Sequence, residues 1–207
     1  MIRHRSPSRF ALCLSTCFLL EAAPALAFSS GPPPGRTGAP GELTCNASGC
    51  HNSFTLDSGP GSIVIDAPLS YEPDASYGLT ITVSETGMQR WGFEITVLDA
   101  EDNFVGQLVV TDPTNTQSLT DQGRDYIEHT SAGTQEGTPF GASWGLAWDA
   151  PATDVGPVTF YAAGNATNAS HSPAGDQIYT TTATATAATV IQSVSWSRIK
   201  SEGNRQR

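Results

Sequence analysis

Beyond residue 60 the sequence is written with a period of two, and no window carries a helical period. Trp91, Phe93, Ile95 and Val97 alternate with Gly92, Glu94, Thr96 and Leu98, which predicts a strand with one buried and one more exposed face. The same pattern predicts strands over 62–67, 77–84, 104–111, 124–130, 143–149, 158–163 and 178–182, and a last one including 190–196. Turn residues separate them: Pro73-Asp74, Asp112-Pro113, and Ala100-Glu101-Asp102-Asn103, which reads as a hairpin turn between two of the strands. The Thr/Ala tract 180–189 alternates and is expected to be an edge strand with a small-residue face. With 20 Gly, 14 Pro and only 14% charged residues, the chain is expected to be all-β, an antiparallel sandwich rather than a barrel.

The first 27 residues read differently. Arg3, Arg5 and Arg9 precede an apolar stretch over 10–20 that is too short to span a bilayer, and Ala25-Leu26-Ala27 supplies a small-x-small cleavage signature. Residues 1–27 are therefore expected to be a secretory signal peptide, taking Cys13 and Cys17 with it; a lipid anchor on Cys17 is the lesser alternative. No later segment is apolar and long enough for a membrane helix, so no integral membrane segment is expected after cleavage. The product is expected to be exported, to the periplasm, the cell surface or the medium. Residues 28–61 form a Gly/Pro-rich leader, 62–196 the sandwich and 197–207 a polar basic tail. Ten Lys and Arg against 20 Asp and Glu, a net charge of -10, exclude a nucleic-acid groove, because phosphate would be repelled. At 38% hydrophobic the chain still has the material for a core.

The chemistry concentrates in Cys45-Asn46-Ala47-Ser48-Gly49-Cys50-His51, a C-x4-C-H motif. Covalent haem attachment uses C-x-x-C-H: two thiols add to the haem vinyl groups as thioethers, and the next imidazole becomes the proximal iron ligand. The Cys-His adjacency that places the ligand is intact here, and Gly49 with Ala47 and Ser48 lets the longer loop bulge. Two other readings stand beside it. The cysteines of an exported chain can form a Cys45–Cys50 disulfide, with no cofactor. With His51 they can also contribute to a zinc site whose fourth ligand comes from elsewhere.

Gly38-Ala39-Pro40-Gly41-Glu42 running into this motif resembles the start of the bacterial exported choice-of-anchor V proteins, which are Reelin-domain-like (Reeler) sandwiches. Tyr71-Glu72-Pro73-Asp74, Trp91-Gly92-Phe93-Glu94 and Tyr126-Ile127-Glu128-His129-Thr130 continue the likeness. So do Trp144-Gly145-Leu146-Ala147-Trp148 and Val158-Thr159-Phe160-Tyr161, so that it covers roughly 35–182. The resemblance implies a Reeler/immunoglobulin-like fold, a cytochrome c-like cysteine motif and a surface or secreted location. The C-terminal sorting tail that members often carry is not visible after Trp196.

If haem c is bound, one per chain, Cys45 and Cys50 are its attachment thiols and His51 its proximal ligand. For the distal position the sequence offers His129, His171 and Met88. His129 is preferred, because it lies in a stretch of the family pattern; it is expected to share a face with Ile127. His171, in a turn-like stretch, is expected to be solvated, and Met88 to be exposed. The leading expectation is thus a haem-binding electron carrier that is not an enzyme and works with an unknown redox partner or surface protein. The rival is a haem-free adhesion or interaction module held by the disulfide. Gly141-Ala142-Ser143-Trp144-Gly145 matches the G-x-S-x-G hydrolase pattern but sits in a strand, so a hydrolase built on Ser143 ranks last. The 99–103 stretch resembles a calcium loop without its turn glycine and is expected to be an acidic turn. Trp91, Trp144, Trp148 and Trp196 are expected to be core residues.

Overall fold

A computed structural model describes residues 28–188. The expected signal peptide, the strand expected over 190–196, Trp196 and the basic tail lie outside the described residues. The alternating segments form ten strands: β1 (Ser62–Asp66), β2 (Ser70–Tyr71), β3 (Ser76–Ser84), β4 (Arg90–Leu98), β5 (Gln107–Val110), β6 (Thr116–Asp121), β7 (Arg124–His129), β8 (Gly141–Asp149), β9 (Val158–Thr167) and β10 (Gln177–Ala187). Helix is confined, among the described residues, to a 3₁₀ turn at Ala132–Thr134. Two sheets face each other in an all-β sandwich: a four-stranded one in the order β1-β3-β8-β5 and a six-stranded one in the order β2-β10-β9-β4-β7-β6. Pairing is antiparallel except where β2 adds two parallel residues beside β10. The 180–189 tract is accordingly next to the edge, its residues through Ala187 belonging to β10.

The core lies between the sheets. Trp91, Phe93, Ile95 and Val97 project inward from β4, opposite Ile81, Val83, Trp144 and Trp148 of the smaller sheet. Trp148 stands edge-on to Tyr71 (5.4 Å, 80°) and Phe160 (5.2 Å, 86°), an arrangement that the ring quadrupoles favour. Burying each such ring contributes on the order of 2–3 kcal/mol.

Three expectations need correction. The first concerns β4, which has no exposed face: Gly92, Glu94, Thr96 and Leu98 are as buried as their neighbours. The leader explains it. Residues 28–61 have little regular structure but form a third layer across the outside of the larger sheet. Gln117 of β6 donates to the Ser30 carbonyl, the Arg36 N–H donates to Glu94 of β4, Cys45 packs on Ala163 of β9 and Ile178 of β10, and Asp57 accepts from Thr180.

The loop at 99–103 is the second. It is closed by the Asp99 carboxylate, which accepts the amides of Glu101 and Asn103. It does not join hairpin partners, since β4 and β5 belong to different sheets; it carries the chain from one to the other after a single Leu98–Phe104 bridge. Last, β9 runs past Ala163 to Thr167, its outer residues covered by the leader rather than by the core. The short β2 and the polar β6 carry no apolar alternation and were not expected.

Candidate haem-binding cleft

Between the leader and the outer face of the larger sheet lies a cleft with about 820 Å³ of free space, counted out to its open mouth. Of this, about 70 Å³ admits a water-sized sphere. Cys45, Cys50 and His51 line it, and so do His129 and His171. All three histidines of the described residues therefore face one space.

The C-x4-C-H loop is closed on itself. The His51 N–H donates to the Cys45 carbonyl (3.1 Å), the Cys50 N–H donates to Ala47 (2.9 Å), and Gly49 turns the chain at φ +85°, a conformation glycine adopts without strain. Asn46 donates from its amide to the carbonyls of His51 and Phe54, so its side chain is spent on the loop. Cys45 is buried against Ala163 and Ile178; burial, and then the Glu94 and Cys50 charges, push its thiol up to about 12. Cys50 is only half-buried, and the two thiols are not joined in this structure.

Asp176, 2% exposed, lies 2.7 Å from His51 Nδ1. A carboxylate on one ring nitrogen holds the proton there and leaves the lone pair on the other, the arrangement that orients metal-bound histidines. The Asn165 amide Nδ2 sits 3.1 Å from that other nitrogen, Nε2, while its own Oδ1 is buried without a partner among the described residues.

His129 stands on another wall. Its strand pairs with β4 only at Glu94–Glu128 and Ile95–Ile127. Beyond that point the imidazole takes the place of the next ladder rung: Nδ1 lies 3.1 Å from the Phe93 amide nitrogen and 3.2 Å from its oxygen. The side chain therefore does not join Ile127 in the core but lies against Gly92 and lines the cleft. Burial pulls its pKa down to about 4, so the ring is neutral at physiological pH. Nε2 has no hydrogen-bond partner among the described residues.

The donor set fits an iron porphyrin in its chemistry: two thiols, an adjacent imidazole backed by a carboxylate, and a second, neutral imidazole with an unengaged nitrogen. Among the described residues no group of three or more His, Cys, Asp or Glu is placed to hold a bare metal ion.

The remaining motifs fall elsewhere. Met88 packs against the core and does not line the cleft, contrary to its expected exposure. His171 is exposed, as expected, but is held at the cleft by Arg90 (3.1 Å) and Glu136 (3.2 Å). Ser143 pairs with Thr82 in mid-strand, its hydroxyl 2.8 Å from the Thr82 hydroxyl, and has no histidine partner among the described residues. The Asp99 carboxylate is occupied by its own loop.

Asp176, Asn165 and Gly92 were not singled out in the sequence. The first two reach His51 from far along the chain, across 125 and 114 residues. Gly92 did leave a signal, since a glycine inside a strand pattern indicates a close approach. Comparison with known protein families and with curated proteins gives no match for this chain.

Proposed function

We propose that this chain is an exported c-type haem-binding β-sandwich protein that carries or relays electrons at or outside the cell envelope. One observation carries the reading: the Cys45, Cys50 and His51 segment and the distant His129 line a single cleft. On this reading Cys45 and Cys50 hold the group as thioethers, His51 is the proximal ligand and His129 the distal one. Bound there, the iron porphyrin supplies a one-electron couple. The protein does the rest. Asp176 keeps the His51 proton on Nδ1, and burial keeps His129 unprotonated. Phe28, Pro32 and Pro33 of the leader contribute apolar wall.

The resemblance to the choice-of-anchor V proteins belongs to the same reading, as do export and a redox or surface partner. Among the described residues no helix is long and apolar enough to cross a membrane.

The test is to co-express the full chain with a c-type haem attachment system. The expected product has a reducible Soret band and an intact mass increased by one haem. Colourless protein whose mass indicates a Cys45–Cys50 disulfide overturns the proposal and leaves a haem-free interaction module. A His129→Ala variant with an unchanged reduced spectrum and potential removes that residue from the site.

A further inference from the structure

The cleft is also where the positive charge of the fold is gathered. Of the ten Lys and Arg in the chain, only Arg36, Arg90 and Arg124 lie in residues 28–188, whereas all but two of the 20 Asp and Glu do. Arg124 is committed to Glu42 (2.8 Å) and to the Pro40 and Asp102 carbonyls. The other two, Arg36 from the leader and Arg90 from the start of β4, both line the cleft. Asp176 is the one carboxylate among the lining residues, and it is turned to His51.

Neither guanidinium is fully used. Arg36 donates to the carbonyl of neighbouring Gly35, and its Nε is buried with no acceptor among the described residues. A buried guanidinium donor without an acceptor costs free energy that an incoming anion would recover. Arg90 is held by its edge: Nη1 donates to His171 Nδ1 (3.1 Å), Nε is 3.6 Å from the half-exposed Glu136, and Glu136 also accepts from His171 Nε2 (3.2 Å). This ring of contacts aims the guanidinium and leaves Nη2 without a protein partner among the described residues.

We infer that Arg36 and Arg90 grip anionic groups, carboxylates by class, on the occupant of the cleft. The inference deepens the haem reading, on which those groups are the two propionates. In a fold this acidic, two arginines placed together at one cleft favour an anionic occupant over a neutral or cationic one.

The experiment titrates the purified full chain, before haem attachment, with iron(III) protoporphyrin IX and separately with its dimethyl ester. Soret shifts and tryptophan quenching read the binding. The double variant Arg36→Gln/Arg90→Gln is expected to weaken the free acid at least tenfold and leave the ester unchanged, and Arg→Lys at both positions to recover most of the loss. Raising salt should weaken the acid alone in the wild-type protein, a readout that requires no variant. Equal affinity for acid and ester in the wild-type protein overturns the inference while leaving the haem reading intact. If neither porphyrin binds, the haem reading falls, and anilinonaphthalene sulfonate becomes the probe. Fluorescence enhancement lost in the double variant then sustains the anion site; equal enhancement in both proteins overturns it.

Discussion

The imidazole of His129 lies so close to the backbone of Gly92 that a Cβ on residue 92 would come within 2.7 Å of Cε1 and 3.1 Å of both ring nitrogens. Gly92 is thus the floor on which His129 rests where β7 leaves β4, and the absence of a side chain there lets the ring reach the Phe93 backbone.

Gly92→Ala is expected to displace the ring and lower stability by about 1–3 kcal/mol, the usual cost of overpacking. Gly78→Ala, also in a strand but with nothing within 4 Å of its Cβ position, should change stability by less than about 0.5 kcal/mol. Denaturant melts of the two variants check the contrast. If haem is bound as proposed, Gly92→Ala should also alter the reduced spectrum, as is expected of His129→Ala.

Asp176→Asn should loosen His51. The buried contact at 2.7 Å involves a carboxylate, and its loss is expected to cost about 1–3 kcal/mol of folding stability. If His51 ligates haem as proposed, the imidazole becomes a poorer electron donor in this variant, so the reduction potential should rise. An unchanged potential in a correctly folded variant would remove Asp176 from the positioning of His51.

The two cysteines should react unequally before attachment. A thiol pushed from 9.0 up to about 12 carries about a thousandfold less thiolate at neutral pH, and Cys45 is buried as well. Iodoacetamide should label half-buried Cys50 first, with Cys45 at least a hundredfold slower; peptide mass mapping over time distinguishes them. Comparable rates would mean that the leader does not cover Cys45.

Glu94 makes stability depend on pH. It is fully buried beneath the leader, faced by Glu128 of β7 and by Glu42 and Arg36 of the leader, and burial raises its pKa from 4.5 to about 8. A raised carboxyl pKa stabilises the fold below 4.5, and that contribution is lost as pH climbs through 8. The loss corresponds to on the order of 4 kcal/mol, so unfolding free energy should fall between pH 5.5 and 9. Glu94→Gln should flatten that fall, because a neutral amide keeps an acceptor for the Arg36 N–H without the buried charge. Denaturant melts at the two pH values are the check.

The strands whose apolar residues meet the opposite sheet were legible, because a buried face imposes alternation on the residues that build it. Strand β4 was placed to within a residue at each end. The polar β6 and the two-residue β2 were not, since neither needs a hydrophobic face to be held at an edge. The leader was the larger miss. Its Gly/Pro composition describes how its backbone turns, not what it covers, and the burial of Glu94 follows from the cover.

In the site, the Cys-His adjacency and a strand carrying His129 could be read from the chain, but not that both would line one cleft. Asp176, Asn165 and the two arginines could not, because each is unremarkable among its own neighbours and is brought to the cleft by strand pairing or by the path of the leader.

Local covalent order is thus enough to specify an all-β chain with a thiol-thiol-imidazole motif ahead of it, since alternation and adjacency are set residue by residue. That this motif lies over β9 and β10 at a cleft His129 also lines, with Asp176 behind His51 and Arg36 and Arg90 alongside, comes from the packed fold. Those neighbours are selected by which sheet face the leader buries, a choice made by packing across the whole fold and not by any one segment.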